Sequence, residues 1–471
     1  MTLLLQPGAS NLITARTPRL PAPVWIRVFA VVAAVAALAV ALVLAAAAGD
    51  VRDGLTDLGD RTAPQVTATE DLYFVLADMD AQLANVLLAG DDPGLADVRK
   101  DALDAFEQDR NRASADLQQA ATAAGDDKGA QHTVRLVLGE FGRYQSVAAQ
   151  AIQLNDVGRS TADVLTLQRR ATDSMRFTQQ TAHGLTRTNS ARLDQSYQDT
   201  QDATVTARWW LGLGGTVLIG ALVGLQVVLR VRMRRRLNLG ALAATLLAGW
   251  LVFGGIALLG SESEHLRSAK QDAFDSLIAL RQARAVSYDA KADESRYLLD
   301  SGRRSTYGEA FVDKSELLAG VGGGFTYDDQ LDEAVKAYFS YHEVHLTGFF
   351  GVALKNITFA GERQAAELTL STYQTYQRAD RTMREMVNGN QVPAAIQYCI
   401  GDAENSSNHF FNRYDDALVD LIAINQRAFD TSVAAGESGV GGWTGALPYG
   451  AAALIIALVA AGVWPRLAEY R

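Results

Sequence analysis

Residues 209–236 read WWLGLGGTVLIGALVGLQVVL followed by RVRMRRR, and this junction decides the fold class. The first 21 residues carry no charged side chain, whereas the seven that follow include five arginines. A helix of about 21 residues extends about 31 Å, which matches the hydrocarbon core of a bilayer. The junction therefore predicts a membrane-spanning helix that ends at a cationic turn.

Three more stretches of the 471-residue chain are similarly apolar, with Arg27 as the one charged residue: Trp25–Ala48, Leu237–Gly260 and Trp443–Pro465. The chain is 48% apolar and 20% charged, and its apolar residues are concentrated in these four stretches. This pattern excludes a soluble enzyme, a secreted domain and an outer-membrane barrel. A cleaved signal peptide is the alternative for the first stretch, although its apolar run is longer than the roughly 7–15 residues of a signal core.

The distribution of charge predicts the orientation in a bacterial plasma membrane. The polar block 49–208 has 16 basic and 25 acidic residues, block 261–442 has 17 and 27, and the rest of the chain has ten arginines and one glutamate. Because short basic segments stay in the cytoplasm, both termini and the central turn are expected inside, and both acidic blocks outside.

The predicted order along the chain is tail, span, bundle, span, turn, span, bundle, span and tail. The corresponding boundaries are 1–23, 24–48, 49–208, 209–229, 230–236, 237–260, 261–442, 443–465 and 466–471.

Both polar blocks are predicted to be helical bundles, because apolar residues recur at alternating steps of three and four. The stripes are Leu72, Leu76, Met79, Leu83 and Val86; Val134, Leu138, Phe141, Gln145, Ala148 and Ile152; Leu331, Val335, Tyr338, His342, His345 and Phe349; and Phe411, Tyr414, Leu418, Leu421, Asn425 and Ala428. The fold class is therefore an all-α membrane protein with four transmembrane helices and two extracytoplasmic antiparallel helical bundles.

The stripes and the turn residues between them predict nine helices outside the membrane. Those of the first block are 50–89, 94–123, 129–155 and 159–207. Those of the second block are 262–301, 305–319, 328–357, 362–388 and 394–436.

The first half of the chain (24–229) and the second half (237–465) are predicted to be a tandem repeat of span, bundle and span. At an offset of 211 residues, four residues of the first half match four of the second: Asp78, Ala81, Leu87 and Leu88 match Asp289, Ala292, Leu298 and Leu299.

Polar side chains interleave with the apolar stripe on the first long helix of each bundle. They are predicted to form a contact surface for an outside ligand or ligand-binding protein, and a solvated bundle face is the alternative. These residues are Asp78, Asp80, Gln82 and Asn85 in the first half and Asp289, Asp293 and Arg296 in the second.

The arginines of the central turn allow two compatible interpretations. They determine topology beside anionic headgroups, or they form a docking site for an acidic cytoplasmic protein. The residues are Arg230, Arg232, Arg234, Arg235 and Arg236. Nucleic-acid binding is not expected, because these arginines lie against the bilayer and both large domains are acidic.

No catalytic group, metal or cofactor is predicted. His342 and His345 are three residues apart and could share a metal ion, but they lie on an apolar stripe and no third ligand is evident. No ionisable residue lies deep within a span, which argues against transport.

Two segments resemble the GlnX family of actinobacterial four-span membrane proteins: LYFVLADMDAQLANVLLAG at 72–90 and ARAVSYDAKADESRYLLD at 283–300. The resemblance covers the whole chain in architecture and these two helices in specific residues. It implies a relay of amino-acid availability from an extracytoplasmic amino-acid-binding lipoprotein of the GlnH type. The receiver would be a soluble Ser/Thr kinase of the PknG type that controls glutamate metabolism. The resemblance carries over no catalytic or ligand residue.

A signal relay is thus the predicted function, since the short cytoplasmic segments leave any output to a recruited partner. Two alternatives remain open. One is a direct small-molecule sensor of the four-helix chemoreceptor type, and the other is a structural envelope scaffold.

Overall fold

The structure, a computed structural model, describes residues 22–158, 160–233, 238–322 and 327–468. These residues form fourteen α-helices and no strand, apart from one β-bridge between Gly320 and Thr347. The helices are α1 (Ala22–Thr56), α2 (Ala63–Ala89), α3 (Ala96–Ala123), α4 (Lys128–Asp156), α5 (Thr161–Met233), α6 (Leu239–Arg267), α7 (Asp275–Leu299), α8 (Arg304–Leu318), α9 (Tyr327–Tyr341), α10 (Gly348–Lys355), α11 (Glu362–Asn388), α12 (Val392–Ile400), α13 (Ser407–Val440) and α14 (Ala446–Ala468). The prediction of an all-α protein is confirmed.

The described residues divide into two compact units. The membrane unit contains 22–51, 201–262 and 439–468, and the polar unit contains the described residues of 52–200 and 263–438. Each polar block was expected to form a bundle of its own. The structure differs, because the helices of both blocks pack together in the single polar unit.

The membrane unit contains the apolar parts of α1, α5, α6 and α14, which are long and apolar enough to cross a membrane. Large apolar side chains remain exposed on them, as expected of a surface that faces lipid. Trp209 is 79% exposed and Trp464 is 77% exposed, near the ends of the apolar stretches, where tryptophan favours the membrane interface. The chain is therefore a multi-pass membrane protein.

The helices of the first block begin and end close to the predicted positions. The stripe from Leu72 to Val86 on α2 is buried, and α2 stops at Gly90, whose φ is +54°. Asp127 caps α4, because its carboxylate accepts hydrogen bonds from the backbone N–H groups of Gly129 and Ala130 at 2.9 and 3.1 Å. The predicted stripe on α4 is only partly right, since Leu138 is 41% exposed.

The predicted helix 328–357 is wrong, because the chain leaves the helical conformation between α9 and α10. His342 has a φ of +56°, and Thr347 pairs with Gly320 through two backbone hydrogen bonds of 2.8 and 3.2 Å. Gly348 has a φ of +68°, and a Cβ there would lie 2.4 Å from the Leu317 carbonyl oxygen. The exposed His342 and His345 therefore do not continue the buried stripe.

The predicted helix 394–436 is also interrupted, at residues 401–406 between α12 and α13. Gly401 has extended backbone, and a Cβ there would lie 2.4 Å from the Gln397 carbonyl oxygen. The Ser406 hydroxyl then accepts a hydrogen bond of 3.1 Å from the His409 N–H, which supports the start of α13. The stripe from Phe411 to Asn425 on α13 is buried as predicted.

Helices α2 and α7 lie side by side and run parallel in the polar unit. Gln282 donates a hydrogen bond of 2.9 Å to Glu70, and Ser295 donates one of 2.7 Å to Asn85, so both helices advance in the same direction. Each follows a π-helical segment, and these begin at Asp57 and Ser268, which are 211 residues apart. The spacing equals the offset found in the sequence.

Candidate functional site

The contact between α2 and α7 contains a buried ionic cluster, which we define as Asp80, Asp289, Asp293, Arg296 and Lys314. Arg296 donates to Asp80 across the two helices and to Asp293 at 2.6 Å. Lys314, on α8, donates to Asp293 and lies 2.9 Å from a carboxylate oxygen of Asp289. Four of these five residues were singled out in the sequence.

The ionic cluster is charged although it is buried. The side chains of Arg296, Asp80 and Asp293 are 2%, 4% and 3% exposed. Burial alone would lower the pKa of Arg296, but the three neighbouring carboxylates outweigh it, and the guanidinium stays protonated. Burial likewise raises the pKa of Asp289, but Lys314 and Arg296 reverse the shift, and the pKa of Asp289 falls below its usual value.

The charge of Asp80 is less well compensated by neighbouring cations than that of Asp289. Burial raises the pKa of Asp80, and the attraction of Arg296 offsets this only in part. Within the ionic cluster three carboxylates face two cationic groups. Arg176 nearby is a third cation, which helps to lower the pKa of Asp289 against the effect of burial. Charge is costly away from water unless it is paired, and these groups balance one another.

Of the other predicted contact residues, Asn85 lies in the contact between α2 and α7, whereas Asp78 and Gln82 bond to each other along α2. Gln82 donates a hydrogen bond of 2.8 Å to Asp78, and Asn85 donates one of 3.4 Å to Gln82. Asn85 in turn accepts from Ser295 on α7. Asp78, Gln82 and Asn85 are half-buried, and Asn85 extends the polar contact between the halves.

Further polar pairs outside the ionic cluster join the two halves. Arg169 on α5 makes a bidentate contact with the buried Asp300, at 2.7 and 2.8 Å. Lys270 bonds Asp194 at 2.7 Å, and Arg281 contacts Asp71. The bidentate pair of Arg169 and Asp300 constrains orientation as well as distance.

A cavity of about 260 Å³ opens beside the ionic cluster. Its walls come from α2, α5, α7 and α8, so both halves of the chain contribute. Gln179 and His183 line it from α5, and the His183 ring stacks on Tyr73 at 5.3 Å between ring centroids. Within the described residues, Gln179 Nε2 and His183 Nδ1 are buried and have no hydrogen-bond partner.

A second cavity, of about 310 Å³, lies among helices of the first block. It is lined by apolar residues such as Leu72 and Val134 together with Asp116, Asp127 and Arg192. Asp127 and Arg192 form an ion pair of 2.5 Å that is partly exposed. Burial raises the pKa of Asp116.

Two carboxyl groups meet between α2 and α3. Burial raises the pKa of Asp109 to about 8 and that of Asp78 to about 6, and the negative charge of Asp78 raises the pKa of Asp109 further. Two close carboxylates do not both ionise readily, so the pair holds a proton near neutral pH. Asp109 was not predicted, although it is an acidic residue three positions after the buried Phe106.

Sequence reasoning also missed Lys314 and Gln179. Lys314 lies between the buried Phe311 and Leu318 on α8, and a lone lysine on a buried face was the available signal. For Gln179 the sequence offered no such signal.

The structure describes only part of the central turn. Arg230 is in α5, and only the backbone of Arg232 is described. Arg234, Arg235 and Arg236 lie outside the described residues.

Among the described residues, no group of three or more His, Cys, Asp or Glu side chains could hold a metal ion. His345 instead pairs with Glu343 at 3.0 Å on the exposed loop before α10. Cys399 is fully buried, and burial raises the pKa of its thiol to about 12.

The fold and this site define an all-α multi-pass membrane protein whose polar unit contains a charged contact and a cavity. Residues 54–198 match a family model described as an actinobacterial sensor domain. The match covers α2, α3, α4 and the first part of α5, and the second half of the chain lies outside it. No curated protein matches the chain. The sensor-domain match indicates a role in sensing and signalling.

Proposed function

We propose that the protein is a transmembrane signal relay that responds to a condition outside the plasma membrane and reports it inside. The match of residues 54–198 to a sensor domain supports the sensing role, and four apolar helices support the membrane location. The charge distribution favours an extracytoplasmic polar unit, with both termini and the turn 230–236 in the cytoplasm.

The observation that carries this proposal is the buried contact between Arg296 and Asp80. It ties the half that resembles a sensor domain to the half that does not. Along the chain, α2 follows α1 through residues 57–62, and α7 follows α6 through residues 268–274. We propose that a change in the packing of α2 against α7 is passed along the chain to α1 and α6 through these two short segments.

The relay works by a shift between two packings of this helix contact. A ligand or partner displaces such an equilibrium only as far as its affinities for the two packings differ. Buried charged pairs suit such a two-state shift, because a buried charge is either paired with its partner or is left unpaired at a large cost in free energy.

The proposed input is amino-acid availability, delivered by an extracytoplasmic amino-acid-binding lipoprotein. The proposed output is association with a cytoplasmic Ser/Thr kinase that controls glutamate metabolism. Both partners follow from the resemblance to the GlnX family. The turn 230–236 is too short to fold as a domain, and we propose that the protein acts through the kinase rather than as an enzyme.

The five arginines of the turn are the proposed docking site for the kinase. Replacing all five by glutamine should abolish co-purification of the kinase with the full-length protein, because an acidic partner loses its complementary charge. Arg466→Gln with Arg471→Gln is the matched control, since it removes cytoplasmic charge elsewhere. Membrane insertion is verified by protease accessibility of the polar unit, and unchanged kinase recovery would remove the turn from the relay.

A second candidate function is direct sensing, in which the polar unit itself binds a small molecule. The cavity between α5, α7 and α8 favours it, because polar groups from both halves converge there. The two candidates differ in whether the lipoprotein is required. Calorimetry of the purified protein with amino acids, with no binding protein present, separates them, since heat under those conditions supports direct sensing.

A further inference from the structure

We infer that the cavity beside the ionic cluster binds a small uncharged molecule with several hydroxyl groups, the class that contains monosaccharides and polyols. This site goes beyond the proposed relay, whose lipoprotein and kinase partners do not depend on it. The charges of the cavity, its unpartnered polar groups, its aromatic wall and its volume each contribute one part of the argument.

The charges on the walls of the cavity balance one another. Three carboxylates and three cationic side chains line it: Asp80, Asp289, Asp293, Arg176, Arg296 and Lys314. Burial acts to raise the pKa of Asp289, but the three cations together lower it, so each of them acts on this carboxylate. A net charge on a ligand would find no free partner here, and an unpaired charge away from water is costly. The walls therefore favour an uncharged ligand.

Two further polar groups of the cavity are neutral and lack partners. Gln179 is only 7% exposed, and its Nε2 donor has no partner among the described residues. Burial and then the charge of Arg187 lower the pKa of His183, so its ring is neutral, and its buried Nδ1 also lacks a partner there. Nearly all buried polar groups in native proteins are hydrogen-bonded. Because a hydroxyl group both donates and accepts, hydroxyls of a bound molecule would satisfy both side chains.

Aromatic side chains provide the less polar part of the wall. The rings of Tyr73 and His183 stack at 5.3 Å between centroids, and both residues line the cavity together with Tyr307. A sugar ring or a polyol chain carries C–H groups as well as hydroxyls. Its C–H groups would pack against the aromatic rings while its hydroxyls bond the polar side chains, a division that is usual in small-molecule sites.

The volume of the cavity limits the ligand to a small metabolite. The cavity holds about 260 Å³, which is below the roughly 300–1,000 Å³ of sites for drug-sized ligands. Tyr73 and Gln179 belong to the first half of the chain and Tyr307 to the second, so a bound molecule would contact both halves at once. Binding would therefore favour the packing in which the halves are joined.

Neutral and charged probes of the same skeleton test the chemistry. The neutral probes are D-glucose, D-galactose, D-mannose, D-ribose, myo-inositol and glycerol. We expect calorimetry of the full-length protein, in a detergent without a sugar headgroup, to give saturable binding with at least one of them. The counterparts of that probe, in which a carboxylate or an ammonium group replaces one hydroxyl, should bind at least about tenfold more weakly. No saturable binding with any neutral probe, or equal affinity for a charged counterpart, would overturn the inference.

Two variants locate the binding. Gln179→Leu and His183→Phe should each weaken it at least about tenfold. The melting temperature should not fall, because Nε2 and Nδ1 have no protein partner to lose and phenylalanine keeps a ring that stacks on Tyr73. Gln153→Leu, on the exposed face of α4, is the matched control and should bind like the wild type. Wild-type affinity in both cavity variants would place the binding elsewhere and contradict the inference.

Hydrogen exchange shows whether the bound molecule joins the halves. The probe that binds should slow the exchange of peptides from both α5 and α8, and Gln179→Leu should remove this effect. Slower exchange on one of the two helices alone would contradict a site shared between the halves. The assays contain no lipoprotein and no kinase, so their failure leaves kinase association intact, whereas loss of association with intact binding contradicts the relay alone.

Discussion

Replacing Arg296 by methionine tests whether the ionic cluster holds the two halves together. Methionine preserves part of the apolar stem but leaves Asp80 and Asp293 without their shared guanidinium partner. Removing one partner of a buried ion pair costs about 3–5 kcal/mol. Since about 1.4 kcal/mol corresponds to tenfold, we expect the opening of α2 from α7 to become roughly a hundredfold more frequent, or more.

Hydrogen exchange of backbone amides, followed by mass spectrometry on the full-length protein in detergent, measures that opening directly. Peptides from α2 and α7 should exchange faster in Arg296→Met. Arg378→Met is the matched control, because Arg378 is 56% exposed and pairs with Asp332 at 3.0 Å. Exposed pairs contribute about 0–1 kcal/mol, so this variant should exchange like the wild type.

A second substitution strengthens the test. Adding Asp80→Asn to Arg296→Met removes one of the stranded charges and should recover part of the lost protection. Unchanged exchange of α2 and α7 in Arg296→Met would refute the reasoning. Equally fast exchange of α2 and α7 in the Arg378→Met control would also refute it.

Three further predictions concern stability. Because burial raises the pKa of Asp109 to about 8, the folded chain keeps a proton that the unfolded chain has released, so stability should fall as pH rises from about 4 to about 8. Asp109→Asn should reduce this slope in thermal unfolding measured across that range, and an unchanged slope would contradict the assignment. Gly348→Ala should destabilise the protein by about 1–3 kcal/mol, because of its positive φ and the nearby Leu317 carbonyl. Gly139→Ala, exposed within α4 with nothing near its Cβ position, should instead stabilise by about 0.5–1 kcal/mol in the same denaturation assay.

The spans and most helices could be predicted because one local property controls each of them. Four apolar stretches, in which Arg27 is the one charged residue, dictate four membrane helices however the rest of the chain folds. On α2, the spacing from Leu72 to Val86 and the breaker at Gly90 specify both the buried face and the end of the helix. Such patterns depend only on a few neighbouring residues, so the folded protein keeps the helices that they predict.

The interruption at His342 could not be predicted, because it depends on a distant partner. Residues 328–349 keep a helical spacing of apolar and aromatic side chains, so the local pattern favours one helix. The chain instead turns at His342 and pairs Thr347 with Gly320, which lies 27 residues earlier. A hydrogen bond between segments so far apart in the chain does not change the spacing of apolar residues in either segment.

Only part of the candidate site could be predicted, because the rest depends on contacts between distant segments. Acidic residues interleaved with an apolar stripe indicated that α2 and α7 carry a special surface, and Asp80 and Arg296 proved to be in direct contact. That the surface faces the other half of the chain, with Lys314 and Gln179 beside it, depends on how four helices pack. The spacing along any one helix does not encode that packing.

A reversible cross-link between α2 and α7 tests the central claim most directly. Asp71 and Arg281 are in contact across the two helices and are 48% and 21% exposed, so cysteines at both positions can be joined by a short bifunctional thiol-reactive reagent that forms a disulfide with each cysteine and is removed by a reductant. The native Cys399 is buried and its raised thiol pKa keeps it unreactive, and each single-cysteine variant is a control. The account predicts that cross-linking abolishes the change in kinase association on addition of amino acids, and that cleavage restores it. A full response in the cross-linked protein would contradict the account.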